Sequence, residues 1–400
     1  MSGVWLHIVG MGEAGLDSLM PATRAVVEAA EVIVASDRLH DRTPGLTGER
    51  LRWPSPFDAL ISTIKAQEGR RVVVLATGDP LWFSVGARIG RGIDPAQICY
   101  HPQLSAFQLS AARLGWSLAD TELLTAHGRP PEQILPFVGP GARLLLLTKD
   151  RTTPKAVAAM LCARGYGGSR MTVLAHLGGD AEARFDGLAQ DWSAEVPDFH
   201  TLAIDCVAGP EAQVLSRVAG LADDLFVHDG KMTKREVRAV TLARLMPRRG
   251  GMLWDIGSGA GSVGIEWMRA ARDARAIGIE PLADRRDMAA RNALALGVPR
   301  LQLVAGRAPE ALVDLPRPDA VFIGGGLSEA AARASLAALA PHGWLVANAV
   351  TLESEALLLS LHARLGGDLT RIRVERVRPV GPYHGWQPFM PVTQWAIQAR

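Results

Sequence analysis

The chain is poor in cysteine, poor in lysine and without a long apolar run, and each scarcity removes a class of explanation. Its only cysteines are Cys99, Cys162 and Cys206. They are odd in number, scattered and without C-x-x-C spacing, so neither a disulfide framework nor zinc is indicated and no metal is expected. No apolar stretch approaches the ~18 residues of a membrane span. No basic segment precedes the first apolar stretch, as a secretory leader would require. These absences lead us to expect a cytoplasmic protein that does not enter a membrane. Net charge is only +2 over 400 residues. With no basic stripe and no DNA-reading helix, nucleic acid is not an expected partner. Lysine is confined to Lys65, Lys149, Lys155, Lys231 and Lys234. Two of these share the stretch Lys231-Met-Thr-Lys234, which draws notice in an arginine-rich chain because the two residue types differ in geometry and pKa behaviour.

What is present is an ordinary globular composition, 48% hydrophobic and 21% charged, long enough for two or three domains. Short apolar strands alternate with helical patterns, which predicts an α/β fold. The regular alternation lapses at Gly209–Gly220, where a Gly-Pro turn and a short helix intervene. That break divides the chain into residues 1–207, with lobes of about 1–117 and 118–207, a connection over 208–220, and residues 221–400.

The second half is organised around Leu253-Trp-Asp255-Ile-Gly257-Ser258-Gly259-Ala-Gly261-Ser262-Val-Gly264. A strand ends at Asp255, a glycine turn follows, and a helix opens after it. The glycines let backbone approach a ligand closely, and the helix start offers free N–H groups and a positive dipole end. A second strand closes on Glu280, the spacing at which α/β folds hold a ribose. Gly259–Gly264 also satisfies the dinucleotide spacing G-x-G-x-x-G, so S-adenosylmethionine (SAM) and NAD both fit. A third reading is a turn chosen for packing. Asp255 favours SAM, because a carboxylate there repels a pyrophosphate and attracts an ammonium.

The first half repeats the ambiguity. Gly10-Met-Gly12-Glu-Ala-Gly15 fits the dinucleotide spacing, yet Pro21 places the next helix start near Met20–Ala22, too late to aim its dipole at a pyrophosphate. Three further strand-end loops follow: Thr77-Gly78-Asp79-Pro80, Leu104-Ser105-Ala106 with Ser105 as N-cap, and His127-Gly128-Arg129. Thr148 ends another strand.

These loops together resemble those of the tetrapyrrole (corrin/porphyrin) methylase family over residues 5–205. Residues 221–400 are similar to a class I SAM methyltransferase and decarboxylase of the cobalamin pathway. The elements shared there are Asp229-Gly-Lys231-Met-Thr233-Lys234-Arg-Glu-Val-Arg238, the Asp255 motif, Gly306-Arg-Ala308-Pro, and Phe322-Ile-Gly324-Gly-Gly. The resemblance implies a two-lobed methylase fold followed by a class I Rossmann-like fold on a mostly parallel seven-stranded sheet. It implies one SAM per domain, held by Gly10, Gly78, Asp79, Pro80, Ser105, Ala106 and Thr148 in the first. In the second the holders are Thr233, Asp255, Gly257, Ser258, Gly259, Gly261, Ser262, Glu280, Gly306, Ala308 and Gly324. Arg307 departs from the pattern, since an acid often stands there; adenine recognition then falls to backbone groups and Ala308. The implied reaction is methylation of precorrin-6B at C5 by the first half and at C15 by the second, with loss of the C12 acetate carboxyl, giving precorrin-8.

A carboxylate-edged macrocycle calls for Arg and Lys partners: Lys231, Lys234 and Arg238 in the second half, His127 and Arg129 in the first. The opposing reading makes Arg238 and its neighbour Arg235 a solvated helix face. Trp82, Trp254 and Trp386 are stacking candidates or core. A homo-oligomer, dimer or tetramer, is expected by resemblance. The alternative function is an NAD(P)-dependent reductase fused to a methyltransferase.

Overall fold

A computed structural model describes residues 3–399. The chain forms two compact units, residues 1–131 with 139–213, and residues 132–138 with 214–400.

The first unit contains two five-stranded sheets. Strands β1 (Leu6–Met11), β2 (Val32–Ala35), β3 (Glu49–Arg52), β4 (Val72–Thr77) and β5 (Ile98–His101) lie in the order β3-β2-β4-β1-β5, all parallel. Strands such as Val72-Val-Val-Leu-Ala76 are apolar throughout because helices cover both faces of a parallel sheet. Alternate residues therefore feed two cores, Leu6, Ile8, Val72 and Val74 on one face and Val9, Met11, Val73 and Leu75 on the other. The second sheet takes β6 (Glu122–Thr125), β7 (Arg143–Leu147), β8 (Arg170–Ala175), β9 (Ala183–Leu188) and β10 (His200–Asp205) in the order β6-β7-β10-β8-β9. Only β6 and β7 are parallel there. Glu13, buried on the loop after β1, accepts from Arg38 and Arg42 and lies 3.1 Å from His176 Nδ1 beyond β8, which ties the two lobes.

The second unit is built on β11 (Met252–Ile256), β12 (Arg275–Ile279), β13 (Gln302–Val304), β14 (Ala320–Ile323), β15 (Trp344–Ala349), β16 (Asp368–Ile372) and a last strand, Val392–Gln398. A two-stranded hairpin, β17 (Glu375–Val380) with β18 (Tyr383–Pro388), stands outside that sheet, so the last strand is β19. The seven-stranded order is β13-β12-β11-β14-β15-β19-β16, and the sheet is not uniformly parallel: β19 runs against both neighbours. In β11, Leu253 packs into one face while Met252, Trp254 and Ile256 pack into the other. Trp254 is thus core, whereas Trp82 and Trp386 are exposed. Among the described residues no helix is long and apolar enough to cross a membrane.

Candidate functional sites at two glycine-lined strand ends

In the first unit the carboxyl ends of β1 and β4 meet. The Gly78 N–H donates to the Met11 carbonyl at 2.9 Å. A Cβ on Gly10 would stand 2.2 Å from the Gly78 carbonyl oxygen and 2.7 Å from Gln103 Cβ. Gly78 has φ +62, and a Cβ there would lie 3.1 Å from Ser105 Cα. Gly10, Gly78 and Ser105 are therefore brought into one cradle, with Asp79 and Pro80 continuing its wall. Asp79 Oδ1 accepts from the Leu81 N–H at 2.7 Å, which shapes the turn. Ser105 caps the helix Ala106–Leu114 in a reciprocal box with Gln108. The loop Gly10–Gly15 does not open a helix: it leads into a 3₁₀ turn, Gly15–Ser18, and the α-helix begins at Pro21. The dipole geometry that a dinucleotide needs is missing there.

Three expected residues fare differently. Thr148, at the end of β7, is buried and donates its hydroxyl to the His200 carbonyl at 2.7 Å, so that proton serves the sheet. His127 is exposed and Arg129 half-buried on the turn after β6, where the His127 N–H meets Thr125 Oγ1 at 3.1 Å.

In the second unit the cradle is formed by the ends of β11, β12 and β14. Gly257, at φ +69, runs so close to Gly325 that a Cβ would lie 2.6 Å from its backbone. Gly261 and Gly278 are filled in the same way, by Ala289 Cβ at 2.9 Å and Ser258 Oγ at 2.8 Å. Gly306, at φ +141, and Gly324 leave room only for Ala311 and the Phe322 ring. Ala308 is half-buried against the core behind β13 and β14. The helix Ser262–Ala270 starts without a side-chain cap on Gly261, and its Gly264 N–H is met instead by Asp255 Oδ2 at 2.9 Å. Glu280 accepts from the Gly259 N–H at 3.0 Å and from Leu282 at 3.1 Å, so it shapes the glycine loop as well as facing it.

Two polar atoms in this cradle are buried without a partner, Asp255 Oδ1 and Ser258 Oγ. Burial pushes the Asp255 carboxyl up to about 7; the Gly264 N–H opposes that shift and the charge of Glu280 adds to it. An orphaned carboxylate oxygen kept short of solvent is an unmet demand for a donor or cation. An α-ammonium answers that demand, and a glycine-lined channel suits the rest of an amino-acid nucleoside such as SAM. The residues present fit that group.

The segment carrying Lys231, Thr233 and Lys234 crosses this cradle. The Lys231 carbonyl oxygen would be 3.8 Å from a Cβ on Gly259, and Lys231 itself is exposed. Lys234, half-buried, donates to the Gly230 carbonyl at 3.2 Å. Arg238 is a correction to the sequence expectation, under both of its readings. It is fully buried and donates to Glu266 at 2.7 Å, Asp223 at 3.1 Å, the Thr233 carbonyl at 2.7 Å and the Leu221 carbonyl, with Phe226 beneath its plane. Its fork is spent on the fold and is not offered to a macrocycle. Asn348, near the carboxyl end of β15, donates to Thr241 Oγ1 at 3.0 Å and accepts from Gln394 at 2.9 Å, so its amide too is engaged within the fold.

Glu266 and Asn292 were not singled out from sequence. Glu266 also accepts from the Gly220 and Leu221 N–H groups, and Asn292 bridges Val227 to the Ala260 carbonyl. Together with Arg238 they pin residues 220–238 across the glycine loop. The one sequence signal was an acid inside the apolar run Val263-Gly-Ile-Glu266-Trp-Met. Removing one member of a buried ion pair strands the other, at about 3–5 kcal/mol. Arg238→Ala should therefore lower the unfolding free energy of the second unit by that amount in denaturant titration. Full stability with impaired macrocycle binding would instead restore Arg238 as a substrate contact.

Known proteins bear on this geometry. Residues 5–192 match the family model of tetrapyrrole (corrin/porphyrin) methylases, and residues 224–399 match that of the precorrin methyltransferase domain. A precorrin-6Y C(5,15)-methyltransferase [decarboxylating] from Sinorhizobium sp is 46% identical over 98% of this chain and 96% of its own length. The chain belongs to the precorrin-6Y C5,15-methyltransferase (decarboxylating) family. Shorter relatives are similar to parts of it. A cobalt-precorrin-7 C(5)-methyltransferase of Salmonella typhimurium is 32% identical, covering 42% of this chain and 83% of that protein. A probable cobalt-precorrin-6B C(15)-methyltransferase (decarboxylating) of Pyrobaculum calidifontis is 38% identical, covering 43% of this chain and 92% of that protein. Membership in this family accounts for two glycine cradles in one chain and leaves the fused reductase without support.

Proposed function

We propose that the chain is a SAM-dependent C-methyltransferase of corrin biosynthesis that methylates precorrin-6B at C5 and C15 and releases the C12 acetate carboxyl, giving precorrin-8. The observation that carries this reading is 46% identity to a decarboxylating C5,15-methyltransferase along 98% of the chain. In this reading residues 1–207 and 221–400 are the working domains, 208–220 connects them, and each domain takes one SAM. The existence of separate relatives named for C5 and for C15 supports giving C5 to the first domain and C15 with decarboxylation to the second. One rigid site cannot align two carbons on distant edges of a macrocycle with a single methyl donor.

SAM supplies, when bound, an electrophilic methyl group on a sulfonium. The chain's part is positioning, which can contribute several kcal/mol by aligning reacting atoms. Asp255 Oδ1 would hold the ammonium, Glu280 and the Gly257–Gly261 backbone the nucleoside, and Gly306, Ala308 and Gly324 the walls behind it. Gly10, Gly78, Asp79, Pro80, Ser105 and Ala106 would do the same in the first domain. Lys231 and Lys234 would meet macrocycle carboxylates beside the second cradle, His127 and Arg129 beside the first. No general base is needed where the attacking carbon belongs to an electron-rich enamine, and the conjugated macrocycle itself takes up the electrons that decarboxylation releases. A cytoplasmic homo-oligomer, dimer or tetramer, completes the reading.

The full-length protein supplied with reduced precorrin-6 and SAM should add two methyl groups and release one carbon dioxide. Asp255→Ala should abolish carbon dioxide release and C15 methylation together. Carbon dioxide release that survives in Asp255→Ala and disappears in Gly10→Ala would reverse the division of labour.

A further inference from the structure

Three residues outside both cradles come together where β1 meets the edge strand β5. His7 and Cys99 are register partners on these parallel strands, and His101 lies two residues beyond Cys99, opposite Val9. Neighbouring residues fix the face: Ile8, Ile98 and Tyr100 pack into one core, so His7, Cys99 and His101 all point to the other side. All three are half-buried. His7 Nδ1 and His101 Nε2 stand 3.0 Å apart, and one ring nitrogen from each histidine and the Cys99 sulfur all lie within 4.8 Å of one another.

From this geometry we propose that His7, Cys99 and His101 form a binding site for a zinc-class divalent cation, completed by water. The donor set is what such an ion prefers: imidazole nitrogen and thiolate suit borderline-soft metals, while magnesium and calcium need oxygen. The spacing is also right. Zn–N bonds near 2.0–2.1 Å and Zn–S bonds near 2.3 Å put ligand atoms about 3.3–3.6 Å apart around a tetrahedral ion. The imidazole nitrogens need to open by a few tenths of an ångström, and the sulfur to close by about 1.2 Å at most. Side-chain rotation supplies both, because the strands already hold the three Cα atoms in adjacent register.

The consequence is local. β5 is an edge strand, and the chain leaving it reaches Gln103, which packs against Gly10. An ion shared by β1 and β5 would fasten that edge and steady the Gln103–Ser105 wall of the first cradle. Sequence spacing did not suggest the site, since one ligand precedes the other two by more than ninety residues and only the parallel register unites them.

The test is a zinc titration of the full-length, chelator-stripped protein against a chromogenic zinc indicator. Wild type should take up one zinc per chain. Cys99→Ala and His101→Gln should each weaken uptake by more than the roughly 10–100-fold that the loss of an outer-shell partner costs. Zinc should raise the melting temperature of the first unit in wild type and not in those variants, whose metal-free melting checks that they fold. Cobalt(II) should give a thiolate charge-transfer band that Cys99→Ala abolishes. Equal zinc affinity in wild type and in the Cys99→Ala, His101→Gln double variant would overturn the proposal. So would zinc uptake that depends on the exposed Cys162.

Discussion

Replacing Asp255 by Asn should raise the melting temperature of the ligand-free second unit at pH 8 while weakening SAM binding there about 30-fold or more. The two effects have one cause. Asp255 is buried, one carboxylate oxygen has no partner, and its pKa is pushed up to about 7. Its unfolded value is about 3.9, so over this interval the folded state holds the proton more tightly. The stability contributed by the neutral acid is complete below about pH 4 and is lost progressively as pH rises through about 7. At about 1.4 kcal/mol per unit, the loss above pH 7 is on the order of 4 kcal/mol. Asparagine keeps the acceptor for the Gly264 N–H and removes the titration, so its stabilising effect should be full at pH 8 and only about a third as large at pH 5. Binding moves in the opposite direction. Removing one partner of a buried charge pair costs about 2–5 kcal/mol, hence 30-fold at the lower end. In wild type the affinity should also fall about tenfold per unit below pH 7, because an ammonium selects the carboxylate form. Calorimetry and thermal melts at pH 5 and pH 8 check both. Unchanged SAM binding by Asp255→Asn would end the assignment of Asp255 to the cofactor.

Gly10→Ala is expected to disable the first cradle and leave the second untouched. The new Cβ would fall 2.2 Å from the Gly78 carbonyl oxygen and 2.7 Å from Gln103 Cβ, so backbone must move. Overpacking of this kind costs about 1–3 kcal/mol, which at the binding loop corresponds to about a 5–150-fold loss of SAM affinity in the first unit. The counterpart in the second unit is Gly257→Ala, where φ is +69 and Gly325 backbone lies 2.6 Å from the new atom. Each substitution should silence one site in a calorimetric titration. A substitution that weakens both sites equally would show that the cradles do not act separately.

Both cradles were legible in the sequence because backbone proximity leaves a mark there: glycine at each point where two strand-end loops touch. Gly10 against Gly78 and Gly257 against Gly325 are contacts that only glycine permits. Pro21 was equally readable, since it fixes where a helix can begin. Side-chain destinations were less legible. The spacing of Arg238 within its helix allows a solvated face or a substrate contact, and only the tertiary partners Glu266 and Asp223 show that its charge is consumed internally. Glu280 gave its position but not its second task of bracing Gly259, which depends on how the loop folds back. The antiparallel direction of β19 was not legible, because strand direction depends on which neighbours a strand pairs with and not on its own residues. His7, Cys99 and His101 were invisible for the same reason: register across strands is not written in local spacing.

The central claim, that one chain carries two separate SAM-binding cradles, is tested most directly by calorimetric stoichiometry. Titration of full-length wild type with SAM should give two sites per chain, with Asp255→Asn and Gly10→Ala each reducing the count measured at moderate SAM concentration to one. A single site in wild type, removed by either substitution, would contradict the account.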